Sequence, residues 1–242
     1  MYNQNYNQNY DTTAYQSASR SISFPQVMKN VYLWMTFALA MTGLTAGYIS
    51  TQPQIIQAIF SNSILMWGLL LGELGLVIYF SARLMHMSLT TAGLVFAIYS
   101  ILNGVTMASI FLVYTMESIA TTFFVTAGTF GAMSLLGYTI KKDLSALGRI
   151  FIMALLGIII ASVVNMFVGS SALQFGISIL GVLIFTGLTA YDTQKIKMMV
   201  MQYGDQPDET AMKLALLGSL TLYLDFINLF LYLLRFLGNS RD

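Results

Sequence analysis

Long stretches of this chain carry no charged side chain, and that one feature limits what it can become. No Asp, Glu, Lys or Arg occurs in residues 30–72, and none in residues 150–191, a run of 42. A helix crossing roughly 30 Å of hydrocarbon needs about 20 mostly apolar residues. Each run is therefore long enough for two crossings. Only 9% of the residues are charged and 57% are hydrophobic, whereas a soluble domain is about 25% charged. The expected fold class is all-α: a polytopic membrane protein, a bundle of seven transmembrane helices over residues 25–238, with a polar tail at residues 1–24.

Turn chemistry divides the apolar runs. The segment STQPQ at residues 50–54 separates a first span near 30–50 from a second near 56–80. A third is centred on 90–112, and a fourth, near 118–140, ends at Lys141-Lys142-Asp143. Val168-Gly169-Ser170-Ser171 splits the 42-residue run into spans near 149–168 and 173–200. The seventh, near 212–237, carries Asp225 and Arg235, so it is the weakest of the set as a crossing.

Cytoplasmic connections of membrane proteins carry an excess of Lys and Arg. If the spans alternate, Arg20, Lys29, Arg83, Lys141, Lys142, Arg149, Lys195, Lys197 and Lys213 all fall on one side. That side is expected to be cytoplasmic, with the N-terminus. Arg235 and Arg241 fall on the other, which leaves the side of the C-terminus open. Residues 1–24, rich in Tyr, Asn and Gln, read as a disordered cytoplasmic tail. They lack the basic start and apolar core of a secretory signal, so the first span is expected to be a retained anchor.

Several function classes drop out. A net charge of +1 gives no basic surface for nucleic acid. The absence of cysteine excludes disulfides and thiolate chemistry, and the lone His86, expected at the surface, cannot build a histidine metal cage. Gly68 and Gly72 form a small-xxx-small pattern expected to pack within the chain. The 16 methionines read as adaptable apolar filler. Asn103 and Asn165 are expected to bridge helices.

The acids inside the spans carry the functional signal. Insertion scales put an Asp at a helix centre about 2.5–3.5 kcal/mol uphill, so a chain that keeps several uses them. Three qualify: Glu73, Asp192 and Asp225. The last two lie on consecutive helices, about ten residues before the polar turn at 203–209 and about a dozen beyond the helix start near 212. At 1.5 Å per residue both sit roughly 15–20 Å from the same end, so they can meet, and Glu73 is at similar depth. Thr221, Asp225, Asn228, Tyr232 and Arg235 are spaced 4, 3, 4 and 3, which puts them on one helical face. Thr189 shares a face with Asp192. These stripes are expected to face inward, as a hydrated path or a buried network. Two carboxylates in contact in a low dielectric do not both ionise readily, so the pair is expected to share a proton and titrate as a unit. Once deprotonated, their oxygens suit a hard cation such as Ca²⁺. A pair that merely locks two helices is the alternative.

Gly187-Leu188-Thr189-Ala190-Tyr191-Asp192-Thr193-Gln194 and Leu222-Tyr223-Leu224-Asp225-Phe226-Ile227-Asn228-Leu229-Phe230 resemble the signature of the Bax inhibitor-1 family, also called the transmembrane Bax inhibitor motif proteins. Lys141-Lys142-Asp143-Leu144-Ser145 and Tyr99-Ser100 resemble it too. The likeness covers about residues 25–238. It implies a seven-helix bundle with the last helix central and six around it. It also implies a pH-sensitive calcium leak, with Asp192 and Asp225 as sensor and possible transient Ca²⁺ ligands, and no cofactor. Arg83 matches a basic residue that pairs with the first aspartate to close the pore, and Glu73 matches an acid of the second helix. The implied partners are the lipid bilayer, calcium ions and protons, with no protein partner identified. The compact connections suggest a bacterial inner membrane.

Other readings are weaker. An intramembrane aspartyl protease would also place two aspartates together, but Tyr223, Leu224 and Phe226 crowd Asp225 where a substrate would need room; the chain is expected not to be an enzyme. A non-conducting regulator of membrane partners is the main alternative to a channel.

Overall fold

The computed structural model describes residues 24–202 and 208–239. The expected tail up to residue 23, most of the 203–209 turn, and Arg241 lie outside the described residues. Those described form helices α1 (Phe24–Ser50), α2 (Pro53–Phe60), α3 (Ser63–Arg83), α4 (Leu89–Met107), α5 (Ile110–Val113), α6 (Met116–Thr139), α7 (Ser145–Val168), α8 (Ser171–Gln202) and α9 (Asp208–Leu237). A 3-10 turn at Leu84–His86 follows α3, and no strand occurs among the described residues. Seven segments are long and apolar enough to cross a membrane, with α4 and α5 counting as one.

The ends of the spans follow local chemistry. The second span does not run on from residue 56, because Pro53 opens a separate short helix that stops at Ser61. Asn62 then caps α3 by accepting from the N–H groups of Ile64 and Leu65, so the crossing begins at Ser63. Gly169 ends α7 in the left-handed conformation at φ 65°, which only glycine adopts freely. Asn165 belongs to that turn: its side-chain oxygen accepts from Ser170 N at 3.0 Å. It caps a helix end and does not bridge helices as expected. Between α6 and α7, Asp143 accepts from the backbone N–H of Ser145, and Ser145's hydrogen bonds hold its carboxyl below the usual range.

The seventh span is the centre of the bundle. Of its most apolar window 72% is buried, against 39% for α8 and 6% for α7. It packs chiefly against α8, α1, α6 and α4, while α3 leans on α4 and α7 on α8. The central helix is thus ringed by four neighbours, with two helices outside the ring. Its polar side chains are tolerated there, since a helix shielded from lipid need not be apolar all round. Phe226 packs edge-on against Phe123 and Phe130 of α6, and Tyr223 against Phe96 and Tyr99 of α4.

Lipid tails are as apolar as leucine, so helices in a bilayer associate through close packing and polar contacts. At Gly104 a Cβ would come within 2.6 Å of the Thr42 carbonyl oxygen where α1 meets α4. At Gly137 it would strike the Ala190 carbonyl where α6 meets α8. Gly68 and Gly72 differ from expectation: nothing lies within 4 Å of where their side chains would be, because α3 turns that face outward. Gly137→Ala is therefore expected to destabilise by about 1–3 kcal/mol, as overpacking does, whereas Gly68→Ala is neutral. Denaturant titration of the two variants in detergent micelles checks the difference.

Candidate functional site

The site is built on consecutive residues of α8 that between them face α6, α7, α9 and the α6–α7 connection. Ala190 lies against Gly137 of α6, and Tyr191 lies against Gly148 of α7. Asp192 turns to α9. Thr193 bonds the Ser134 hydroxyl of α6 at 3.0 Å, and Tyr32 of α1 reaches the same hydroxyl at 2.6 Å. Gln194 clasps the α6–α7 connection: it accepts from Leu144 N at 2.8 Å and donates to the carbonyls of Lys142 at 2.9 Å and Ile140 at 3.4 Å. Lys197 donates to the Tyr138 carbonyl near the end of α6 at 2.7 Å, a favourable place for a cation. Four helices and a loop thereby fix the height and rotation of α8 at Asp192.

The carboxyls of Asp192 and Asp225 face each other across the α8–α9 seam, close enough for each to act on the other's charge. Both are buried, Asp225 to 5% exposure. A hydrogen bond between two carboxyls needs a proton, because two carboxylates hold no donor. The Oδ2 atom of Asp225 is sealed from solvent and has no hydrogen-bond partner. A buried oxygen left unpaired costs about 1–3 kcal/mol, so this atom is where a proton, a water or a passing cation gains most. No group of three or more His, Cys, Asp or Glu that could hold a metal occurs among the described residues. Calcium takes six to eight oxygens, of which two carboxyls supply at most four.

The other expected residues are distributed differently. Glu73 does not join the aspartates. It accepts from Thr106 and, at 3.5 Å, from Asn103, both on α4. Asn103 in turn accepts from the Tyr223 hydroxyl at 3.1 Å, and Thr42 of α1 lies 2.7 Å from that hydroxyl. The result is a second polar cluster on the opposite flank of α9. The polar stripe of α9 is not turned fully inward either. Thr221, Asn228 and Tyr232 are half-buried and Arg235 is exposed, while the aromatic and leucine face takes the interior. Thr221 and Asn228 bond carbonyls of their own helix, Leu217 and Leu224. Tyr232 stacks on Phe185. Thr189, fully buried, likewise donates to Phe185 of its own helix.

Arg83 is exposed, as is His86, and among the described residues the one ion pair joins Lys213 to Glu209. The Arg83–Asp192 pair is thus not formed here: Arg83 ends α3, which leans on α4 away from α8. The cation whose charge acts on Asp192 is Lys195, one helical turn on. It lines a vestibule of about 650 Å³ between the ends of α8 and α9, walled by Met85, Met198, Met199 and Leu214. Lys195, Gln194 and Tyr223 escaped the sequence reading because each lies beside an aspartate and was eclipsed by it. Asn103 and Thr106, three apart in an apolar helix, were the available sign of the second cluster.

The family described as "Inhibitor of apoptosis-promoting Bax1" matches residues 25–242. The chain is 49% identical over 214 residues to "Inner membrane protein YbhL" of Escherichia coli strain K12, covering 88% of this chain and 92% of that one. It is 51% identical over 221 residues to an "Uncharacterized protein" of Borreliella burgdorferi, covering 89% and 95%. It is 46% identical over 219 residues to "Uncharacterized protein RP147" of Rickettsia prowazekii, covering 89% and 90%. Tyr223→Phe, which removes the hydroxyl tying α9 to α1 and α4, is expected to cost about 0.6 kcal/mol and no more than about 1.7, the range of interhelical hydrogen bonds in membranes. Unfolding in mixed micelles measures it.

Proposed function

We propose that this chain, which belongs to the Bax inhibitor-1 family of membrane proteins, is a passive calcium leak of a bacterial inner membrane, gated by the proton that Asp192 and Asp225 share. The carrying observation is the carboxyl–carboxyl contact in the α8–α9 seam, with one Asp225 oxygen buried and unpartnered. A group placed so responds to pH through its proton and to Ca²⁺ through its oxygens. Calcium is the cargo, bound only in passing.

The basic end, where α1 begins and α8 meets α9, is taken as cytoplasmic on the charge bias of the connections. When Asp192 is ionised it holds Lys195 in the vestibule, and the ammonium charge bars a divalent cation. Protonation of Asp192 removes that attraction, the exposed Lys195 side chain swings away from the mouth, and the mouth opens. The leak therefore rises as pH falls. Arg83 stands outside this arrangement, and Glu73 braces α3 against α4.

Reconstitution in vesicles loaded with a calcium-sensitive dye tests the reading. The parent chain is expected to admit calcium faster as pH falls through the titration of the pair. The double variant Asp192→Asn, Asp225→Asn is expected to lose that dependence. Lys195→Gln raises the leak at neutral pH several-fold, and Arg83→Gln leaves it within about twofold. A double variant with the parent's pH profile would end the gating claim, and a parent chain with no flux above empty vesicles would leave it a non-conducting member of its family. Infrared difference spectra across pH give a second check: the protonated-carboxyl band should shift in each single aspartate variant, where one buried carboxyl remains, and vanish in the double variant.

A further inference from the structure

Helices α1 and α6 both pack on α9 but diverge from each other, leaving an open groove of about 1060 Å³ with Phe226 at its base. Its volume is at the upper end of the roughly 300–1,000 Å³ that holds a drug-sized ligand. The walls are almost wholly apolar, and small residues keep them apart: Ala40 and Gly43 on α1, Ala127 and Gly131 on α6. No other atom lies within 4 Å of where side chains at Gly43 and Gly131 would project. From Lys29 to Leu44 the groove follows α1 for roughly 22 Å at 1.5 Å per residue, more than the roughly 15 Å of one leaflet's hydrocarbon.

Its charge is confined to one end. There Lys29 lines the mouth, and the Tyr32 hydroxyl bonds Ser134 across from α1 to α6 at 2.6 Å. Lys197 stands beside it, its ammonium 5.2 Å from the centre of the Tyr138 ring. Among the described residues that line the groove, none is acidic. At membrane depth such a slot cannot stay empty without forfeiting contact along both walls, and water gains nothing from its apolar lining. A chain of hydrocarbon carrying a negative head group at the Lys29 end satisfies both parts. Basic pockets between membrane helices on the cytoplasmic side bind anionic head groups by the same logic.

We propose that the α1–α6 groove is a binding site for one anionic phospholipid, its phosphate at Lys29 and one acyl chain laid past Gly43 and Gly131 onto Phe226. The site is independent of the calcium reading. Binding leaves Lys29 ionised and needs no movement of α8, and it presses the acyl chain against the residue that follows Asp225 in α9.

The test uses the full chain in vesicles with trace amounts of a photoreactive lipid probe, its reactive group on the acyl chain, bearing either a phosphoglycerol or a phosphocholine head. After illumination, peptides are mapped by mass spectrometry. Adducts of the phosphoglycerol probe should concentrate on the groove faces of α1 and α6, several-fold above α3 and α7, which are more exposed to lipid. Lys29→Glu should lower that labelling several-fold and leave phosphocholine labelling unchanged, and Gly131→Phe, which fills the slot, should abolish both. Adducts spread evenly over all outward helices would mean ordinary boundary lipid and overturn the proposal. So would groove labelling indifferent to Lys29→Glu, or groove residues crosslinked to a second copy or to residues 1–23 in place of lipid.

Discussion

A hydrogen bond between two carboxyls is tolerable inside a membrane only while both helices hold their register, and most of the architecture around α8 serves that condition. If α8 slid or turned by one residue, Asp192 would leave Asp225 and each would face hydrocarbon alone, at a cost of a few kcal/mol per charge. The neighbours of Asp192 oppose such a slip from several directions. Ala190 is locked against Gly137 and Tyr191 against Gly148, so α8 approaches α6 and α7 too closely to slide. Gln194 fastens the α6–α7 connection with three hydrogen bonds. The motif from Thr189 to Gln194 thus reads as one device, in which a single residue faces the acid partner and the rest hold it there.

The same economy explains why a span that carries ionisable and hydroxyl side chains is central. A bilayer supplies no hydrophobic drive between helices, so burying an apolar helix in the middle gains little, whereas burying a polar one removes a large penalty. Asp225, Ser219 and Tyr223 are at most 5% exposed on α9. The outermost helix α7, with 6% of its window buried and mean hydropathy 2.6, has the opposite composition. These two helices, one at the centre and one at the rim, thus sit where the cost of exposing each to lipid puts them.

The span count, the inner acids and the approach of Asp192 to Asp225 were legible because they follow from charge-free length and from depth along antiparallel neighbours. What escaped needed knowledge of rotation. Equal depth suggested that Glu73 shares a layer with the aspartates, yet its helix α3 packs on α4 and aims it at Thr106 and Asn103. The 4, 3, 4, 3 spacing on α9 marked one face correctly but not where it points. Its aromatic and leucine side chains took the interior, leaving Thr221 and Asn228 to bond their own helix. The clasp by Gln194 could not be read from spacing, since its partners are backbone carbonyls and an N–H some 50 residues away.

Tyr223 and Asp225 are two residues apart on α9, hence about 200° around the helix, and they anchor opposite flanks. Asp225 meets α8, while the Tyr223 hydroxyl meets Thr42 of α1 and Asn103 of α4, which also holds Glu73. A rotation of α9 large enough to part the two aspartates must therefore draw Tyr223 from Thr42 and Asn103. Translation along the axis does the same, because both anchors lie within one turn of each other. A rigid helix cannot release one flank and keep the other. The two polar clusters are thus mechanically joined without touching, and Glu73, though distant from the carboxyl pair, sits at the far end of the polar linkage that Tyr223 of α9 makes with Asn103 of α4.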